Sequence, residues 1–184
     1  YEEPTQNLSL ENLSDQFQQS LLNYQNESAS EVLRKAFSIY SVDQVLTDIV
    51  QKTLVNLGEA WHHGDIPIAV EHFATHFCEQ HLMGMFYSSS IPTREGTIFA
   101  ACAPGEMHQV GILSLAVMLR WRGWDVKYFG QNLSLDRLIE TLSIIQPIAI
   151  LFSATTKESA VALTPLSKIL EKYPYERPIV FLGG

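Results

Sequence analysis

Among the residues of this chain, the imidazole of His108 carries the clearest chemical potential, because a carboxylate stands two positions before it and a glycine three after, in Glu106-Met107-His108-Gln109-Val110-Gly111. A neutral imidazole is a good transition-metal ligand, and Glu106 can accept its second ring N–H, fixing the tautomer and raising the basicity of the ligating nitrogen. Gly111 leaves space beside the helix it opens. Two further signals follow at set distances: Ser153-Ala154-Thr155 after 41 intervening residues, and Gly183-Gly184 after another 27. Upstream stand Trp61 and, after a gap of nine residues, Glu71-His72. An indole offers a flat apolar wall, a carboxylate accepts hydrogen bonds, and an imidazole can ligate a metal.

These residues must be positioned by two kinds of structure. In the first half, Leu8, Leu10, Leu13, Phe17, Leu21 and Leu22 recur at helical spacing, and Asn26-Glu27-Ser28 is expected to end that helix. Ser28-Ala29-Ser30-Glu31 and Ser41-Val42-Asp43-Gln44 read as capping boxes that start two more. The third, carrying Val45, Ile49, Leu54 and Leu57, is expected to stop at Gly64. Asp65 then caps a fourth, with Ile66-Pro67 in its first turn and an end near Tyr87. Ser88 to Arg94 is the linker.

Beyond the linker the period changes. Thr97 to Ala103, Val126 to Phe129, Ile148 to Phe152 and Ile179 to Leu182 are short apolar runs, separated by helical patterns near 107–122, 133–145 and 157–172. Gly123 should end the first of these helices, Ser134 cap the second, and Thr155-Thr156-Lys157-Glu158 form a capping box for the third. Such alternation predicts a parallel sheet covered on both faces. His108, Ser153 and Gly183-Gly184 then fall at the carboxyl ends of strands, the edge where open α/β sheets bind ligands. The expected fold is α + α/β: a four-helix bundle cap over 1–90, followed by a Rossmann-like (flavodoxin-like) parallel-sheet domain over 95–184. Such a domain normally has five or six strands, so a chain stopping after its fourth reads as truncated at its C-terminal end.

Composition narrows the choices. With 184 residues, 46% hydrophobic and 17% charged, the chain can bury one sizeable core or two small ones. No apolar run reaches the roughly 20 residues of a membrane span, and the start has no signal-peptide character, so the expectation is a cytoplasmic protein with no membrane. A formal charge of −8 opposes binding to a phosphate backbone by this chain alone. Cys78 and Cys102 read as small buried apolar residues. His72 and His76 are spaced to grip a metal on a helix but lack the Glu of H-E-x-x-H, and Glu59-Ala-Trp-His62 has no second copy for a di-iron site. His62 and His63 read as partners of a helix dipole, and Phe73, Phe77 and Phe86 as bundle core. The glycines form neither a dinucleotide nor an ATP loop.

Taken together, Glu106 to Gly111, Ser153 to Thr155 and Gly183-Gly184 resemble the D-x-H-x-x-G…S-x-L…G-G pattern of cobalamin-binding domains. Trp61 with Glu71-His72 looks like the W-x9-E-H signature of the MerR-type, adenosylcobalamin-dependent light-sensing regulators, the CarH and LitR kind. The resemblance spans about Leu10 to Gly184. It implies adenosylcobalamin bound with its nucleotide tail off the cobalt, the tail entering a slot past Gly111 toward Ser153, Thr155, Gly183 and Gly184, and His108 as the lower cobalt ligand with Glu106 behind it. It further implies that Trp61 and Glu71 shelter the adenosyl group, and that His72 approaches cobalt after photolysis. Glu106 in place of Asp and Thr155 in place of Leu depart from the common pattern. The family reading is a non-enzymatic sensor that forms a homo-oligomer in the dark. It contacts DNA only through an N-terminal helix-turn-helix absent here, with Glu2-Glu3-Pro4 resembling the linker to it. The alternative is a corrinoid methyl-carrier protein of a methyltransferase system; an adenosylcobalamin mutase would need a substrate barrel.

Overall fold

The computed structural model describes residues 8–184; the segment Glu2-Glu3-Pro4, read as a linker, lies outside them. The chain divides into two compact units, the first running to His81 and the second from Leu82. No helix among the described residues is long and apolar enough to cross a membrane.

The first unit is helical. Helix α1 (Leu10–Leu22) is capped by the Ser9 side chain and buries Leu13, Phe17 and Leu21, a stripe at four-residue spacing. Helix α2 (Asn26–Ile39) begins earlier than its serines suggest. Asn26 to Ser28 are its first turn, not the end of α1, and the Ser28 hydroxyl lies 2.8 Å from that of Ser20 instead of capping. Glu31 correspondingly pairs with Arg34 on the surface.

Helix α3 (42–63) opens on the expected capping box between Ser41 and Gln44, and its middle, Val45–Gln51, is wound as π-helix. The apolar spacing is compatible with that winding but does not dictate it, since α1 buries the same four-residue stripe as ordinary α-helix. Val45, Ile49, Thr53 and Leu57 are buried at strict four-residue intervals, and in an α-helix such a stripe drifts by about 40° per step. A wider turn returns it to the same face. Gly64 ends the helix at φ +82°, with Asp65 N–H bonded to Ala60 O. Helix α4 (Ile68–Ser88) starts one residue after Pro67, whose carbonyl accepts the Val70 N–H; Ile66-Pro67 thus precede the first turn.

The second unit is a parallel sheet of β1 (Thr97–Cys102), β2 (Asp125–Tyr128), β3 (Ala149–Ser153) and β4 (Ile179–Gly183), in the order β2-β1-β3-β4. This is the flavodoxin-like order as far as four strands carry it. The helices between them are α5 (Val110–Trp121), α6 (Leu138–Ile145), α7 (Lys157–Ala162) and α8 (Leu166–Glu171). Phe99, Ala101, Ile150 and Phe152 pack with Leu138, Leu142, Leu163, Leu166 and Leu170 in one core. Helix α5 buries Ile112, Leu113, Ala116 and Val117.

Four further details differ from the sequence expectations. The helix expected over 157–172 is broken into α7 and α8, because Pro165 offers no N–H to continue it. The cap of α7 is Thr156 with Ser159, not Thr155 with Glu158. Ser134 closes a turn onto Asp136 N–H, and α6 starts only at Leu138. Phe86 is buried in the second unit under the Arg120 guanidinium, 4.7 Å from its ring centre, and so is not bundle core. Cys78 and Cys102 are free and buried, and burial first of all pushes their thiols up to about 12 and about 11.

Candidate functional site

The site is built at the carboxyl edge of the sheet. β1 ends at Cys102, and the chain turns at once: Ala103 N–H donates to Ser153 O on β3, and Glu106 N–H returns to Ala103 O. Gly105, at φ +80°, permits the reversal. The turn drives the Glu106 carboxylate inward, where only 1% of the residue is exposed, and leaves the next imidazole outside.

Every lone-pair direction of that carboxylate is used. Oε1 accepts the His108 backbone N–H at 2.8 Å and the His108 ring Nδ1–H at 2.8 Å. Oε2 accepts Thr155 N–H at 2.5 Å, Thr155 Oγ1–H at 2.6 Å and Ser159 Oγ–H at 3.3 Å. Burial by itself raises the pKa of such a group, but donors from Thr155 and His108 outweigh it and hold the carboxyl down at about 2. Glu106 is therefore an anion throughout the ordinary pH range. An anion at Nδ1 keeps the proton there, so Nε2 carries the lone pair. The His108 side chain is 75% exposed, leaving that nitrogen accessible.

The other residues of the pattern gather around this pair. Ser153 ends β3 beside Cys102 and opposite Gly183, and Ala154 N–H donates to Gly183 O at 2.7 Å. A methyl group on Gly111 or Gly183 would meet nothing within 4 Å, so both face open space. Gly184 is different: a Cβ would sit 2.1 Å from Ala154 O, and only glycine fits. Thr155 does something the spacing did not reveal, since its backbone and hydroxyl both grip Glu106. Ser159 and Asn132 were missed altogether. Ser159 reads as helix interior, and Asn132, whose Oδ1 accepts Gly105 N–H at 2.8 Å, lies in a loop whose only signal is its place after β2 at the same edge.

Trp61, Glu71 and His72 belong to the first unit. Trp61 is in the last turn of α3 and 46% exposed, so it is not core. Glu71 accepts the Thr75 hydroxyl at 3.0 Å. His72 is exposed, its ring 6.4 Å from that of His76. The donor set of the second unit suits a metal reached through one imidazole.

The comparisons with known proteins agree with this chemistry. A family model described as "B12 binding domain" matches residues 13–82, and a second of the same description matches residues 96–184. The HTH-type transcriptional repressor CarH of Myxococcus xanthus is 24% identical over 163 residues, covering 88% of this chain; the chain spans about half, 54%, of that relative's length. Among solved structures, the Methanosarcina barkeri monomethylamine corrinoid protein superposes with a TM-score of 0.73 at 14% identity, over 96% of this chain and 86% of that one, a likeness of fold. With both units matched by models of that description, the chain carries a cobalamin-binding region similar to that of CarH.

Proposed function

We propose that this chain is the light-sensing cobalamin module of a transcriptional regulator, with a helical domain followed by a cobalamin domain over 95–184, acting without catalysis in the cytoplasm. The observation that carries the cobalamin half of the reading is His108, held at Nδ1 by a buried carboxylate 2.8 Å away with Nε2 left open. In this reading His108 would offer Nε2 to the cobalt of bound cobalamin. Glu106 holds the ring's tautomer and orientation, and Thr155 and Ser159 hold Glu106. Gly111, Ser153, Thr155, Gly183 and Gly184 border the room taken by the nucleotide tail.

The light-sensing half rests on Trp61, Glu71 and His72. Bound adenosylcobalamin supplies a cobalt–carbon bond that light breaks. Trp61 gives the adenosyl group an apolar wall and Glu71 accepts a hydrogen bond from it. Those contacts would be lost with the adenosyl group, and His72 would then be available to offer a second imidazole to the metal. DNA contact belongs to a helix-turn-helix outside this chain, and the dark form is a homo-oligomer.

The test is the absorption spectrum of the protein loaded with adenosylcobalamin in the dark, before and after green light. A histidine-ligated, tail-off spectrum that converts on illumination to a two-histidine form supports the reading. A spectrum indifferent to light, from a protein that instead accepts methyl groups from a methyltransferase, would replace it with the methyl-carrier assignment.

A further inference from the structure

The loop after β2 is tied to the turn that presents His108. Cys102 N–H donates to Gly130 O at 2.8 Å and Leu133 N–H to Cys102 O at 3.2 Å, so the loop runs alongside the end of β1. Between these bonds, Asn132 makes two of its own: its Oδ1 accepts Gly105 N–H at 2.8 Å, and its N–H donates to Glu106 O at 2.9 Å. One residue thereby brackets the Gly105–Glu106 pair from outside the turn. Its backbone holds φ +52°, a left-handed value that asparagine tolerates better than most side chains.

This bracket has a consequence for the imidazole. The Glu106 carboxylate fixes the His108 ring, yet ring and carboxylate ride on the same short turn, whose backbone is free to tilt unless something outside the turn holds it. Ser153 O holds one shoulder through Ala103 N–H, and Thr155 holds the carboxylate from the β3 side. On the β2 side, Asn132 bonds the two residues that lead into His108.

We propose that Asn132 is a positioning residue for the cobalt ligand: through Gly105 N–H and Glu106 O it sets where His108 stands, without itself touching the cofactor. This rests on the reading of His108 as lower ligand. The side-chain bond can be removed apart from the backbone conformation, because glycine accepts φ +52° while lacking the acceptor. Asn132→Asp keeps an acceptor at the same reach.

In the cobalamin-free protein, Asn132→Gly should accelerate amide hydrogen exchange at Gly105, and Asn132→Asp should not. Titrated with adenosylcobalamin in the dark, Asn132→Gly should bind about 10-fold more weakly, the low end of the effect of removing an outer-shell partner, with a smaller histidine-ligated fraction in the spectrum. Asn132→Asp should restore both. Should the glycine variant not fold, Asn132→Ser, too short to reach Gly105 but strained at φ +52°, is used instead, and faster exchange at Gly105 without faster exchange at Leu133, bonded to Cys102 O, separates the lost bond from that strain. Faster Gly105 exchange with wild-type affinity and spectrum would make Asn132 a loop staple without influence on the ligand, and the proposal fails. Failure of the wild-type protein to show histidine ligation would instead remove the underlying reading.

Discussion

A carboxylate that accepts bonds from Thr155, Ser159 and both nitrogens His108 presents cannot be exchanged for an amide at little cost. Glutamine at 106 has one acceptor oxygen and directs an NH2 group toward donors, so Glu106→Gln should destabilise the cobalamin-free protein by about 1–3 kcal/mol. The carboxyl also has a pH signature. Its folded-state value of about 2 lies below the ordinary 4.5, so the native protein binds this proton less tightly than the unfolded chain. The stabilisation is complete above about 4.5 and is lost as pH falls toward about 2. Urea midpoints followed down through that window should drop in the wild type and drop less in Glu106→Gln; parallel curves would discount the carboxylate. His108→Ala should weaken adenosylcobalamin binding or change its axial ligation, with Glu106→Gln doing so less, and an unchanged affinity and spectrum in His108→Ala would remove the central assignment. The Glu106–His108 pair was legible in the sequence because it is local, two residues apart. The grip of Thr155 was not, since it joins residues 49 apart that meet only when β1 and β3 pair.

At the scale of elements, what could be read was whatever the local chain decides. Gly64 and Gly123 end helices at positive φ, the Ser41–Gln44 box closes, and the four strands fall where apolar β-prone runs predicted them. Ser41→Ala should accordingly cost about 1 kcal/mol, measurable as a lower unfolding midpoint, and no change would mean that α3 is held by packing alone. Where two serines or threonines competed for one cap, the sequence could not choose. Ser28 lost to a start at Asn26, and Thr156 took the cap because Thr155 was bound to Glu106. The π-wound middle of α3 was equally hidden, since α1 carries the same four-residue stripe as ordinary α-helix. Just past it, the Thr53 hydroxyl is fully buried and has no hydrogen-bond partner among the described residues. Valine keeps the shape and removes that uncompensated polar atom, so Thr53→Val should stabilise the protein by about 1 kcal/mol. A lower melting temperature in that variant would show that the hydroxyl has a partner in solution.

For the whole molecule, the decisive question is whether the cofactor controls assembly. A ligand shifts an equilibrium between states only through contacts that differ between them, and the proposed contacts of Trp61 and Glu71 with the adenosyl group exist only while the cobalt–carbon bond is intact. Trp61 at 46% exposed is an apolar surface that such a group can cover. Shifting a population from 1:99 to 99:1 requires about 5.5 kcal/mol of differential binding, more than one surface indole and one hydrogen bond provide, so the switch should act on an equilibrium already near balance. Adenosylcobalamin is therefore expected to promote a dark oligomer, light to dismantle it, and Trp61→Ala to leave cobalamin binding in place while reducing the dark oligomer. His72→Ala should still disassemble in light but fail to give the two-histidine spectrum, because its role begins after the adenosyl group has gone. Size-exclusion chromatography in the dark and after green light, with the spectrum of each peak, separates these outcomes. An oligomeric state that ignores both adenosylcobalamin and light would refute the sensor reading while leaving the His108 site intact.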